Sequence, residues 1–430
     1  MIKKIGCVIL LALFAFSCGN GNSGDTYFPT GKLDDSFNPP FGFVTFSGSV
    51  DSSEVAVETA VQPDGKIVVM GYTGDGSKNN ILLLRYTTQG TLDPDFGSGG
   101  IVMYDGGGTD HKGLGLALSA DGAILVAGYI RYETGRDILV LKYNADGSLE
   151  KSYTYSSEGQ FTDIGFGVAV QSDGKIVVVG EHSGGANQDV ILLRLNPDLE
   201  PDASFGSGGI VTYNGSGNEK DKGFAVAVQD DGKIVVSGAH VADGKEKEDV
   251  LALRYGPDGV LDLDFGNNGV FSYSYAGDNS DYGNSVQIQS DGKIVVAGSG
   301  DDGQGFKILL LRLNPDGTLD PGFGTGGAVV YGSQSGIFDY AFGVAIQDDG
   351  KILVAGASDN GLNDDAIVLR YESDGALDPG FAENGVYAFT GLSGGEKRAH
   401  GVALQPDRRI VVAGYSIDAG NQSVLLFRLN

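Results

Sequence analysis

Three sets of residues in this chain have the types and spacing to do chemistry. Carboxylates recur in one column at Glu54, Asp163, Asp221, Asp281 and Asp339, with His111 and Lys397 at the matching places of two further copies. Gathered at one opening, five carboxylates would capture a cation or a basic ligand group. Spread between structural units, each would instead accept hydrogen bonds from backbone N–H groups. Carboxylates roughly 8 Å apart in water repel by only about 0.5 kcal/mol, so a ring of them does not require a metal. The second set is basic in all seven copies: Arg85, Lys142, Arg194, Arg254, Arg312, Arg370 and Arg428. Asp or Glu follows about eight residues later, as at Asp93, Asp262, Asp320 and Asp378. A feature repeated in every copy suits a structural ion pair or carbonyl clamp better than a unique catalytic centre.

The third set is His111, His182, His240 and His400. They stand on separate copies, and none is paired at His-x-His or His-x₃-His spacing, so the sequence offers no zinc site. It holds no Gly-x-Ser-x-Gly elbow, phosphate loop or complete calcium loop. The expectation is therefore no catalytic residue, no metal and no cofactor. Aromatic residues do gather near the same loops: Tyr155, Phe161, Tyr273, Tyr275, Tyr282, Phe338 and Tyr340, interleaved with Ser, Gly and Asn. Such a mixture either binds a partner adaptably or packs over the edges of the fold. Trp is absent, which weakens a sugar-stacking reading.

These sets are positioned by a repeated unit. An Asp-Gly turn recurs at Asp64, Asp121, Asp173, Asp231, Asp291 and Asp349, and Asp407-Arg408 is a seventh copy without the Gly. The intervals are 57, 52, 58, 60, 58 and 58 residues. Each copy carries four strand-like runs, exemplified by Gly167 to Gln171, Lys175 to Gly180, Ile308 to Leu311 and Gly326 to Tyr331. Asp-Gly between apolar runs signals a hairpin, and the all-apolar third run signals a strand covered on both faces. A period of this length built from short strands predicts a β-propeller. The chain stops after the third strand of its last copy, and the missing continuation, Pro29 to Asp34 with Phe37 and the strand Gly42 to Phe46, stands at its start. The prediction is an all-β, single seven-bladed propeller of four-stranded blades over residues 29–430, closed by the N-terminal strand completing the last blade. Closure leaves no open sheet edge between the first and last blades.

The recurring "QxDGKIVVAG" core, over residues from about 31 to 430, resembles the delta-60 repeat of bacterial secreted and surface proteins. That resemblance implies a propeller and an envelope setting and brings no catalytic residues. The second copy departs from it, reading Leu149-Glu150-Lys151-Ser152-Tyr153 in place of "LDxxFGxGG", which predicts a shortened turn.

Lys3 and Lys4 precede an apolar run from Ile5 to Phe16, a signal-peptide pattern too short for an ordinary membrane span. Ala15-Phe16-Ser17-Cys18-Gly19 resembles a bacterial lipoprotein signal. The resemblance implies cleavage after residue 17, acylation of Cys18, and a Gly/Asn/Ser tether over residues 18–28. Cys7 would leave with the signal, so the mature fold would hold no disulfide.

The formal charge of −27 argues against nucleic acid and anionic lipid headgroups as partners. Strand order puts the first-to-second and third-to-fourth turns on one face, nearly identical from copy to copy. The other face varies: Gly74 to Asn80, Arg131 to Arg136, Ser183 to Gln188, Val241 to Glu248, Asp359 to Asp364. Loops on a rigid scaffold carry binding. The sequence thus reads as a monomeric, non-enzymatic, lipid-anchored envelope protein binding a protein or glycan on its variable face. The alternatives are a carbohydrate-active lyase or hydrolase using channel carboxylates, or a purely structural envelope component.

Overall fold

A computed structural model describes residues 29–48, 52–133, 135–157, 159, 161–184, 187–215, 219–242, 244–333, 337–392, 394–418 and 420–430. The signal segment 1–17, Cys18 and the tether lie outside the described residues. The strands form seven antiparallel four-stranded blades, and no α-helix occurs among the described residues. Six blades are continuous in sequence, spanning 53–104, 110–155, 162–213, 221–273, 281–331 and 339–388. Blade 7 takes three strands from 397–429 and its fourth from Phe43–Phe46, which pairs antiparallel with the last strand through Phe43–Phe427 and Phe46–Val424. The closure expected from the two chain ends is the closure observed.

The core lies between blades. Seven apolar clusters each join two consecutive blades, and the last joins blade 7 (Val411, Leu426) to blade 1 (Ile67, Leu84). Both faces of the second and third strands are therefore covered, which is why those runs are apolar without alternation.

The monotonous face is held by one repeated clamp. Arg312 Nε donates to Asp320 Oδ2 at 2.8 Å, its guanidinium lies 4.4 Å over the Phe323 ring, and Nη1 donates to the Ser373 carbonyl of the next blade. Lys293, from the Asp-Gly-Lys turn, reaches the same Asp320 oxygen at 3.2 Å. The Asp pair and the Phe ring recur around Arg85, Arg194, Arg254, Arg370 and Arg428. At the seam, Arg370 Nη1 donates to the Pro29 carbonyl at 2.6 Å, and Arg428 pairs with Asp34 at 2.7 Å. The basic column is thus both an ion pair and a carbonyl clamp. Blade 2 lacks the set as a unit: Ala123 stands in place of the Lys, Lys142 pairs with Glu150 at 3.0 Å, and Leu149–Tyr155 pairs directly after a short turn. Lys142 still donates to the Pro197 carbonyl of blade 3 at 2.9 Å.

The inner strands start earlier than alternation suggests, at Thr162 rather than Gly167 in blade 3. Every one carries a register shift at the same place, as between Gly165 and Gly167 in blade 3 or between Ala341 and Gly343 in blade 6. The bulge pushes a carbonyl against the second strand, and this explains the Gly ending each "VVAG". A Cβ on Gly298 would overlap the Tyr282 carbonyl oxygen, and a Cβ on Gly180 that of Ile164.

Two outcomes follow for stability. In the clamp, burial opposes the charge of Asp320, but the Gly322 N–H, Lys293 and Arg312 outweigh it and hold its carboxyl below the ordinary value. Its contribution is present above pH about 4 and lost as the pH falls through the depressed pKa. Asp320→Asn, which strands buried Arg312, is expected to cost about 3 kcal/mol in urea unfolding at pH 7, with a smaller loss at acid pH. Arg408 sits at φ 70° in the turn position that Gly fills in six copies. Arg408→Gly is expected to raise stability by about 0.5–1 kcal/mol in the same assay.

Candidate functional site

The bulge also decides what lines the channel. The residue it displaces is Val57, Leu114, Phe166, Phe224, Asn284, Phe342 or His400 in blades 1 to 7, and all seven face a central cavity of about 570 Å³. A second layer two residues on is Thr59, Leu116 and then Val in five blades. Two residues before the bulge, toward the variable face, stand Val55, Lys112, Ile164, Lys222, Tyr282, Tyr340 and Arg398.

The acidic column stands three residues before the bulge, on the opposite side of the strand. Glu54, Asp163, Asp221, Asp281 and Asp339 are 0–1% exposed and absent from the channel lining. The ring of carboxylates at the channel mouth is therefore corrected to a set of buried caps. In four blades Oδ2 accepts the backbone N–H six residues earlier, on the loop arriving from the outer strand: Ser157 at 2.9 Å, Gly215 at 2.7 Å, Tyr275 at 2.7 Å and Ser333 at 2.9 Å. Oδ1 meets the second strand, taking the Ser358 hydroxyl in Asp339 and His182 Nδ1 in Asp163, each at 2.6 Å. Glu54 accepts from the Thr73 hydroxyl at 2.9 Å. Lys397 reverses the polarity and donates to the Gly394 and Gly395 carbonyls. Among the described residues, no three His, Cys, Asp or Glu side chains are grouped to hold a metal ion.

The seven aromatic residues divide. Tyr155, Tyr273 and Tyr275 pack against the inter-blade clusters, and Phe161 lies edge-on to His182. Tyr282, Phe338 and Tyr340 converge at the mouth, joined by Phe306 and Phe342, which the sequence did not single out. Phe306 lies 6.0 Å from Tyr282 and 5.3 Å from Tyr340, and Tyr340 stacks with both Phe338 and Phe342. The arc continues through His400 to Tyr415. Arg398 borders it, 5.9 Å over Tyr340 and paired with Asp364 and Glu396. Across the mouth, Lys112 lies 4.0 Å over Tyr72, and Arg136 lies 4.9 Å over Tyr129.

His400 lies in the channel wall. Its Nδ1 donates to the Ala56 carbonyl at 2.8 Å, leaving Nε2 as the acceptor nitrogen. Burial pulls its pKa down to about 4. Beside it stands Glu58, also lining the channel. Burial pushes this carboxyl up to about 7, against the Thr59 N–H that it accepts at 3.1 Å. The other copies carry Gly115, Gly167, Ala225, Ser285, Gly343 and Gly401 at this position. One Glu among small residues was the available sequence signal, and it shows only when the seven copies are set in the bulged register.

The family model described as "Domain of unknown function (DUF5122) beta-propeller" matches residues 62–96, 119–153, 171–205, 229–265, 289–323, 347–381 and 405–430. This chain belongs to that family. Five of the DUF5122 segments run from the turn Gln to the clamp Phe, as from Gln289 to Phe323. The family signature is thus the clamp, the two strands between and the loop that joins them, and it leaves out the inner strands. Comparison with curated proteins found no match. Among solved structures, a protein of unknown function from Dyadobacter fermentans superposes with a TM-score of 0.50 at 10% identity, covering 90% of this chain and 98% of that one. A protein from Lactobacillus plantarum gives 0.45 at 13% identity, covering 90% and 100%. A Trypanosoma rangeli sialidase in complex with the inhibitor DANA gives 0.45 at 12%, covering 77% and 56%. These likenesses concern the fold.

Two of the caps, Asp221 and Asp281, carry a pH signature. Burial lifts Asp281 to about 6, against the Tyr275 and Asp301 N–H groups, with Asp249 adding to the rise. A raised carboxyl favours folding below the unfolded pKa near 4, and that contribution is lost as the pH rises through about 6. From pH 4 to pH 7, Asp281→Asn is expected to gain on the order of 2 kcal/mol relative to the unsubstituted protein. Chemical unfolding of both at the two pH values measures it.

Proposed function

We propose that the protein is a non-enzymatic, monomeric binding protein of the bacterial envelope, lipid-anchored through Cys18, which holds a protein or glycan partner on the variable face of its propeller. The observation that carries this reading is the one-sided apolar patch beside the mouth. Phe338 is 43% exposed, Ile337 53% and Leu362 89%, all on two loops of blade 6 joined by the Asp359 N–H to the Phe338 carbonyl at 3.0 Å. Behind Phe338 runs the aromatic arc, with Arg398 at its border. Exposed apolar side chains backed by rigid rings make an interaction surface.

The envelope setting rests on the lipoprotein-like start and on the likeness of the repeat to the delta-60 repeat of secreted proteins. The rival reading, a carbohydrate-active enzyme, calls for two carboxyl groups about 5–9 Å apart in one pocket. Glu58 is the one carboxylate among the described channel-lining residues, which supports binding over hydrolysis.

The test is capture of envelope proteins and cell-wall or surface glycans by the purified propeller, followed by crosslinking. Ile337→Ser with Phe338→Ala and Leu362→Ser is expected to lower the affinity for the captured partner at least tenfold with an unchanged melting temperature. Turnover of an envelope polysaccharide that disappears in Glu58→Gln would overturn the non-enzymatic reading.

A further inference from the structure

The channel interior is distinct from the rim patch. At about 570 Å³ it has the size of a small-molecule site. Its wall carries rings, with Lys112, Asn284 and Gln287 among its polar members: Phe166 and Phe224 meet edge to face at 5.6 Å, and Phe342 meets His400 at 4.8 Å. A ring presents a negative face to whatever lies against it.

Into this wall the chain puts one carboxylate. The repeat keeps the position after the bulge small because a Cβ there crowds the neighbouring inner strand. A Cβ on Gly343 would press on the His400 carbonyl, and one on Gly115 on that of Phe166. Only blade 1 breaks the rule, and Glu58 extends back toward blade 7, where Oε1 would stand 2.7 Å from a Cβ placed on Gly401. Its hydrogen bond comes from the adjacent Thr59 N–H, and no ion pair forms to it among the described residues. A carboxylate in a channel lined by rings and aliphatic side chains calls for a compact positive charge with an apolar body. His400 supplies a neutral acceptor nitrogen beside it. The overall charge of −27 raises the local concentration of cations.

We propose that the central channel binds a small organic cation, an ammonium group on an apolar body, with Glu58 as its counter-ion and Phe166, Phe224 and Phe342 as its walls. The bound ammonium is held by Glu58 and can donate to His400 Nε2, while its body lies against the rings.

The charged and titratable groups on the neighbouring inner strands are accounted for, and Arg428, on the last strand of blade 7, is held by Asp34. On blade 7, Lys397 donates to loop carbonyls, Arg398 is paired at the rim, and His400 stays neutral above pH 4. On blade 2, Asp110 accepts from Asn79 and Tyr129, His111 is buried beside Tyr104, and Lys112 lies over Tyr72 of blade 1. On its own strand, Glu54 is capped by Thr73. With Glu58 titrating at about 7, its ionised fraction rises from about one tenth to about nine tenths between pH 6 and pH 8.

The test is calorimetric and NMR titration of the full propeller with 2-phenylethylammonium, and with 2-phenylethanol and 3-phenylpropanoate as its neutral and anionic counterparts. The ammonium is expected to bind one per chain, about tenfold tighter at pH 8 than at pH 6, with the counterparts at least tenfold weaker. Glu58→Gln should remove both the preference and the pH step, whereas Lys112→Gln should keep the step. Phe342→Leu should weaken binding at both pH values, and circular dichroism confirms that each variant is folded. Equal binding of the alcohol, an unchanged titration in Glu58→Gln, or no saturation by the ammonium well into the millimolar range would overturn the proposal. Variants at Ile337, Phe338 and Leu362 leave this titration unchanged, so it stands or falls separately from the rim.

Discussion

The structure depends on an arginine shared between blades. Each guanidinium is fixed by its own blade's aspartate and phenylalanine and donates from Nη1 to the next blade's turn carbonyl. Such a buried charge is stabilising only when fully partnered, and here the partners come from three turns at once. The sequence must therefore keep Gln, Asp-Gly-Lys, Arg, Asp and Phe together, and the family signature covers that span in most copies. Blade 2 shows the converse. With Lys in place of Arg at position 142, the Phe and the turn Lys are absent too, Glu150 takes the place of the Asp, and the bond to the next blade is kept.

The clamp leaves the opposite side of each blade free to differ. A bulge in every inner strand separates the two regimes. Behind it, the strand turns buried caps toward the loops. At it, one side chain per blade is pushed into the axis. Seven equivalent positions thus hold Val, Leu, three Phe, Asn and His, a set that no symmetric packing rule would choose. Asn284 and His400 show that even these polar members serve the frame, each donating to the carbonyl before the next blade's bulge.

Most of the architecture was legible in the sequence. Twenty-eight strands, seven blades and the shared last blade follow from the turn spacing and from the way Asn430 reads on into Pro29. The clamp was legible because a basic residue recurs at one place in all seven copies with an acidic residue about eight positions on. The channel was not. Period-two counting carries across a strand only while its register holds, and the bulge shifts it, so Asp163 and its counterparts were assigned to the opening when they face the blade interior. Glu58 went unread for the opposite reason: nothing recurs there. The aromatic arc was half legible, since Phe338, Tyr340 and Tyr282 share a loop face, whereas Phe306 opens an otherwise apolar third strand and Phe342 stands at a bulge that alternation does not give.

Closure of the ring fixes where the chain enters it. Pro29 lies under Arg370, and Lys32 is hydrogen-bonded to Asn430 at 2.7 Å, both on the face of uniform turns. The point where the chain enters the ring and the uniform turns thus share one face, and the mouth, with its rings and loops, opens on the opposite one.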